Sequence, residues 1–351
     1  MQASQTPTLV PLAFAANGTK NTIPEASQIG VTPGAASLND GFPPLTFTPI
    51  AAGGVPPAGA DFNGVLNLIT QTIRWKHAGG QFGYNAAFAA DTNVGGYPKG
   101  AILGKAGNNG LWMSTADNNA TNPDTGGAGW IDPLAGRLLG VQVFTASGTY
   151  TPGTYNGVTA TKAIVKAVGA GGGGAGCPST TSTTIALGSG GNAGAEGELL
   201  IASGLSPQTV TIGAAGSAGS AGSNPGGAGG STSFGSLMIC AGGLGGLGGA
   251  SSTVPPVATS LANPAAQVTG SGTLLVAKAG KIATVGIGPT TITIISSAGA
   301  DSSYGQGGFN QLTASTGFGA GGSGASAGVN TASGVGGQPG RPGYLLVYEY
   351  A

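Results

Sequence analysis

Few residues in this chain have the type and spacing to do chemistry. His77 is the only histidine, so a histidine-based nucleophilic triad would have to use it. It follows Lys76 at the end of a helical stretch, where a cation complements the helix dipole and the last carbonyls; a helix-end role is expected. Glu196 and Glu198 stand two apart and would share one face of an extended strand. Paired carboxylates about 5–10 Å apart can hydrolyse glycosidic bonds, but that chemistry needs aromatic platforms and polar support. Between residues 167 and 340 the only other carboxylate is Asp301. The pair therefore reads as a solvated edge whose charges oppose edge-to-edge strand pairing.

Residues Gly169-Ala170-Gly171-Gly172-Gly173-Gly174 spell GxGxxG after an apolar strand. A dinucleotide fingerprint must open a helix whose N-terminus receives the pyrophosphate. Here Pro178-Ser179-Thr180-Thr181-Ser182-Thr183-Thr184 follows, which is poor helix material, so the glycines read as structural. Cys177 and Cys240 lie far apart and match neither a disulfide framework nor a zinc spacing; two buried, reduced thiols are expected. No catalytic group, metal or cofactor is expected, and the chain reads as non-enzymatic.

Composition narrows the remaining classes. The 351 residues include 72 glycines, and 11 Lys+Arg balance 11 Asp+Glu, with only 6% of residues charged. Nucleic-acid binding needs a basic stripe that displaces counterions, and none is present. Disordered chains are usually highly charged, which this one is not. The N-terminal stretch lacks the basic start and apolar run of a signal peptide. No run of about 18 apolar residues could span a bilayer, so no membrane insertion is expected.

Glycine recurs every third residue in four runs: Gly188, 191, 194 and 197; Gly213, 216, 219 and 222; Gly242, 245 and 248, doubled by Gly243, 246 and 249; and Gly334, 337, 340 and 343. A period of three matches neither α-helix nor β-strand. It matches the three residues per turn of a polyproline-II-type helix. One edge of such a helix would be bare backbone, so neighbouring chains could approach closely. Each ordered glycine costs roughly 0.5–1 kcal/mol more entropy than alanine, which close packing or oligomerisation must offset.

The elements that would position these features divide the chain. Residues 1–135 are turn-rich and contain one helix, about 61–76. Asp61 can cap it, and Phe62, Leu66, Ile69 and Ile73 follow as an apolar stripe. A lone amphipathic helix needs a partner surface, and self-association is one natural supply. A small β-hairpin module follows, with Trp112 and Trp130 as packing anchors. Residues 136–168 read as a connecting β segment, and 169–351 as a glycine-rich distal domain with an inserted strand-rich block at about 251–300. Strands are expected at 141–144, 163–168, 198–201, 209–212, 273–276 and 291–295. The closing run Tyr344–Tyr350 is expected to pair beside 163–168. Tyr304, Gln306, Phe309, Asn310, Gln311 and Phe318 place aromatics and amides in glycine-rich loops, a mixture suited to recognition surfaces. The same rings could instead plug gaps between backbone helices.

Two stretches resemble bacteriophage tail-fibre proteins. The first runs from Gly30-Val31-Thr32-Pro33-Gly34-Ala35-Ala36-Ser37-Leu38-Asn39-Asp40-Gly41-Phe42-Pro43-Pro44 through Gly53-Gly54-Val55-Pro56-Pro57 and Asp61-Phe62-Asn63-Gly64. It continues to Gly95-Gly96-Tyr97-Pro98-Lys99-Gly100 and Asp117-Asn118-Asn119, covering roughly residues 15–135. The second comprises Phe144-Thr145-Ala146-Ser147-Gly148-Thr149-Tyr150-Thr151-Pro152, Val168 to Gly174, Ala195-Glu196-Gly197, Val210-Thr211-Ile212-Gly213 and Pro342 to Val347. It is similar to a glycine-rich module at the distal end of phage tail proteins, and the period-three runs resemble the polyglycine-helix sandwich of tail-tip adhesins. The resemblance implies an elongated, homotrimeric, mainly β fibre with polyglycine-II-like helices. Its proximal part would join tail or baseplate proteins, and its distal part would meet a bacterial cell-surface receptor. It also implies location in the virion tail, after assembly in the host cytoplasm. A structural baseplate component without receptor contact and a polysaccharide-degrading tail spike are the alternative readings. No family binding residue carries over to the block at 251–300.

Overall fold

The computed structural model describes residues 7–253, 256–262, 264–310 and 313–351. The chain is mainly β and divides into two compact units, Met1–Pro133 and Leu134–Ala351.

The first unit holds two helices rather than the one expected, α1 (Gly59–His77) and α2 (Ala86–Ala90). Asp61 does not cap α1: the N-cap is Ala58, without a side-chain bond. The Asp61 carboxylate instead accepts from the Asn21 side chain at 2.7 Å and the Ala36 N–H at 2.9 Å, and is 2% exposed. The reason is a segment of the chain that runs antiparallel along α1 and needs partners for its backbone. Val10 N–H donates to His77 Nδ1, Phe14 N–H to Thr70 Oγ1, and Asn67 and Asn63 donate to the carbonyls of Phe14 and Thr19. Gly64 makes the approach possible, since a Cβ there would lie 2.1 Å from the Asn21 carbonyl oxygen. The expected hairpin module is a three-stranded sheet of β1 (Ile102–Gly104), β2 (Leu111–Ser114) and β3 (Trp130–Ile131). Ala89, Tyr97 and Leu103 form its core, with Trp112 and Trp130 packed against them.

The second unit contains two five-stranded sheets. One runs β17 (Thr273–Lys278), β10 (Glu196–Ile201), β8 (Lys162–Val168), β20 (Tyr344–Tyr350), β4 (Leu138–Phe144). The terminal strand pairs with β8 as expected, Val347 opposite Val165. The other runs β16 (Val268–Thr269), β13 (Met238–Cys240), β12 (Thr232–Phe234), β11 (Gln208–Thr211), β5 (Gly148–Tyr150). Their facing side chains make the main core: Val165, Leu199, Leu345 and Val347 against Tyr150, Val210, Phe234 and Met238. Smaller pairings are β9 (Ile185–Leu187) with β14 (Ser251–Ser252) and β19 (Ser326–Ala327), β15 (Val257–Ala258) with β18 (Ile287–Gly288), and β6 (Thr154–Tyr155) with β7 (Val158–Thr159). The expected strand at 291–295 is absent: the chain bends at 291–292, where Thr290 Oγ1 accepts from the N–H groups of Ile292 and Thr293, and of this stretch Ile295 alone makes a β-bridge, to Ile287.

Glycine-rich segments continue from the strand ends. The GxGxxG stretch opens no helix. Instead its N–H groups reach three neighbours in rotation. Ala170, Gly173 and Gly176 donate to the carbonyls of Gly230, Gly227 and Asn224. Gly171, Gly174 and Cys177 donate to Arg341, Gln338 and Val335, and Gly172 and Ala175 to Asn192 and Ser189. The carbonyls of Gly171, Gly173 and Gly172 accept from Gly216, Gly246 and Gly322, on three further segments. Cβ atoms at Gly173 and Gly174 would each lie 1.9 Å from a carbonyl oxygen, of Ser217 and Ser323 respectively. Side chains are sterically excluded there.

A buried carboxylate ties the two sheets' margins together. Glu349 is 0% exposed and accepts from Tyr150 Oη and Gly153 N–H at 2.7 Å, Tyr155 Oη at 2.5 Å and Gln142 Nε2 at 3.1 Å. Burial disfavours its charge, but these donors outweigh that and hold the carboxyl below its usual range. The Tyr155 ring fits only because Gly140 and Gly153 flank it, each leaving no room for a Cβ.

Two outcomes follow in denaturant unfolding. Gly174→Ala is expected to cost about 3 kcal/mol or more, whereas Gly148→Ala, with nothing within 4 Å of its Cβ, stays within about 0.5 kcal/mol of the parent. Glu349→Ala strands several donors and is expected to cost about 3 kcal/mol at neutral pH. Because the folded pKa of Glu349 is the lower one, its contribution is present above the unfolded carboxylate value of about 4.3. It is lost as pH falls through the folded value. Glu349→Gln should therefore flatten the decline in stability on acidification.

Candidate functional site

The sequence-predicted recognition residues among the described ones, Tyr304, Gln306, Phe309, Asn310 and Phe318, fall on one doubled-back loop with limbs 301–310 and 313–318. Asp301 Oδ1 accepts from Gly307 N–H at 2.8 Å, and the backbones of Ser302 and Gly305 bridge to turn the chain. Phe318 N–H donates to the Tyr304 carbonyl and Thr316 N–H to that of Gln306, zipping the two limbs together. Gly317, at φ +64°, and Gly305 allow this close approach; a Cβ at either would meet the opposite limb's backbone oxygen within 2.2 Å. Phe309 and Thr313 exchange backbone hydrogen bonds across the tip, and Asn310 takes a left-handed φ of 48° there, a conformation asparagine tolerates well.

The loop separates the candidate residues into two groups. Tyr304 and Phe318 are half-buried on Tyr344: Phe318 stacks on it at 4.4 Å and Tyr304 packs at 5.7 Å. Burial pushes the Tyr304 hydroxyl pKa up. Phe309, at 51% exposed, and Gln306 and Asn310 face solvent. Gln311 lies outside the described residues. The geometry thus gives two rings a packing role and presents one ring and two amides.

The carboxylates expected on a solvated edge are elsewhere. They lie on β10, an interior strand between β17 and β8, so no free edge exists for them to guard. Register places Glu196 opposite Lys278 and Glu198 opposite Lys166, and both pairs close at 2.8 Å. Glu196 also accepts from the N–H and Oγ of Ser303, each at 2.6 Å, which anchors the 301–310 limb to the sheet. Burial opposes the Glu196 charge, yet Lys278 and Ser303 outweigh it and hold the carboxyl below its usual range. An acid held low cannot donate a proton at neutral pH, which is what glycoside cleavage asks of one member of a pair. The hydrogen bond to Glu198 raises Lys166 further above neutrality.

Both cysteines are buried and unbridged, and burial pushes Cys177 up to about 11 and Cys240 up to about 12, so neither is a ready nucleophile. The apolar stripe of α1 is partly open to solvent: Phe62 is 49% exposed with its ring packed on Phe42 at 4.6 Å, Leu66 is 41% exposed, Ile69 49% and Ile73 37%. The buried positions of α1 are Asp61, Gly64 and Asn67.

Sequence reasoning missed Tyr344 as the platform beneath Tyr304 and Phe318. It also missed Lys166 and Lys278 as partners of the two glutamates. The period-two alternation of Tyr344–Tyr350 carried one usable signal: it puts Glu349 on the same inward face as Leu345 and Val347. The sequence matches no protein-family model and no curated protein.

The two groups of the loop are separable by mutation. Tyr304→Ala is expected to lower unfolding free energy by about 1 kcal/mol through the lost ring contact. Phe309→Ala should leave it within about 0.5 kcal/mol. Thermal unfolding of both variants checks this.

Proposed function

We propose that this chain is the subunit of a homotrimeric bacteriophage tail fibre, a virion structural protein that attaches to the tail or baseplate and mediates adsorption to the host-cell surface. The observation that carries this reading is the rotation of N–H partners along 170–177, three neighbours at a spacing of three residues. It is the bonding pattern of packed polyglycine-II-type helices with three residues per turn. A body built this way is stiff and has no chemistry of its own, which suits a support that holds contact loops away from a particle. The motif strings in 15–135 that resemble tail-fibre proteins supply the attachment half of the reading.

Trimerisation rests on α1. Its exposed residues Phe62, Leu66, Ile69 and Ile73 recur at spacings of four, three and four, which is the a/d seam of a coiled coil. Three copies joined along that seam would multiply weak surface contacts through effective concentration. In a trimer the exposed Phe309, Asn310 and Gln306 would be presented three times to a bacterial receptor. The fibre would assemble in the host cytoplasm and act in the virion tail.

Sedimentation equilibrium of the full chain is expected to give a trimer, and Leu66→Asp with Ile69→Asp a folded monomer. Purified trimer is expected to compete with virions for adsorption to host cells. A stable monomer of the parent chain, or adsorption unaffected by excess protein, overturns the reading.

A further inference from the structure

The first unit contains an amphipathic groove that the attachment reading does not use. Its volume is about 960 Å³, and it lies between the segments 25–39 and 87–94. The first wall is held by backbone bonds from Leu38 N–H to the Pro24 carbonyl and from Asn39 N–H to that of Glu25. The second wall is α2 and its exit. Asn85 caps α2 by accepting from Phe88 N–H at 2.9 Å, and Ala89 is buried beneath it. Two large apolar side chains line the groove while remaining open to solvent: Leu38 at 58% and Phe88 at 53%.

The charge of the groove has one sign. Glu25 and Asp91 line it, and no lysine or arginine does. Asn93 holds both carboxylates, its side chain donating to Glu25 Oε1 at 2.9 Å and its N–H to Asp91 Oδ1 at 2.7 Å. Among the described residues, the second oxygen of each carboxylate accepts no hydrogen bond. Two fixed anions beside exposed apolar surface complement a side chain pair of the opposite kind, a cation next to an aliphatic or aromatic group.

We propose that this groove is a docking site for a basic peptide segment of a partner protein, one bearing lysine or arginine beside an apolar residue. Leu38 and Phe88 would take the apolar side chain, and Glu25 and Asp91 the cation. A nucleic acid or an acidic surface is disfavoured by the same charges. The proposal does not depend on the tail-fibre reading, since it rests on the groove alone.

The test uses the full chain, labelled and applied to an array of hexapeptides that range from acidic to basic, each made once with one Leu or Phe and once with Ser in its place. Binding is expected to rise about tenfold from acidic to basic peptides, the scale of two solvent-exposed ion pairs. It should weaken strongly at about 0.5 M NaCl, where such pairs are screened. Glu25→Gln with Asp91→Asn should abolish the charge dependence, and Phe88→Ala should abolish the preference for an apolar residue. Thermal melts establish that each variant is folded. A flat response across peptide charge, or equal binding by the charge-neutralised variant, overturns the proposal. So does a change in the protein's own sedimentation on Glu25→Gln with Asp91→Asn, which would make the groove a contact between copies.

Discussion

Every buried peptide group needs a partner for its N–H and its C=O, and in the glycine-rich segments beyond the strand ends that requirement takes the place of an aliphatic core. A sheet satisfies it with two neighbours. The segment 170–177 satisfies it with six, because bare backbone lets chains approach from all sides. Side chains would have to occupy the space that carbonyl oxygens already fill. The entropy given up by so many ordered glycines is offset by dense, cooperative hydrogen bonding. Such a body also excludes charge, since an ion inside it would have no counterpart. Between Glu198 and Lys278 the sequence contains no Asp, Glu, Lys or Arg.

Where charge does occur in the second unit, it is used to join elements. Lys278 and Lys166 close on the two glutamates of β10, and Ser303 fastens a long loop to one of them. Glu349 gathers two tyrosine hydroxyls, a backbone N–H and an amide at the margin of the sheets. Both oxygens of Glu196 and of Glu349 are engaged, and these two acids, held low by their donors, suit structure better than proton transfer.

The first unit inverts the ordinary helix pattern. The polar face of α1 is buried because an accompanying stretch of irregular chain, with its own backbone to satisfy, runs along it. The apolar stripe is left partly open to solvent as a consequence. In the proposed trimer that stripe becomes the interior, so intramolecular hydrogen bonding and intermolecular apolar burial divide one helix between them.

Much of this was legible before any coordinates. The glycine period, the strand at 163–168 and its pairing with the terminal strand, and the Trp112–Trp130 module all express local rules: a steric exclusion, an alternation, a turn. The false fingerprint at 169–174 was legible for the same reason, because no helix former follows it. Asp61 was misread as a cap, Glu196 and Glu198 as an edge, and 291–295 as a strand. The first two depend on neighbours distant in sequence, while the third turned on the local Thr290 hydroxyl, which takes the N–H groups of Ile292 and Thr293. A carboxylate near a helix start caps it only if no other donor reaches it first, and Asn21 and Ala36 do. Whether a strand is an edge or an interior one is a property of the sheet, set when β17 adds to β10. The sequence by itself determined which segments are bare backbone and which residues could carry charge. Only the tertiary structure decided which rings are packed on Tyr344 and which are presented, because burial is a relation between segments that no single segment encodes.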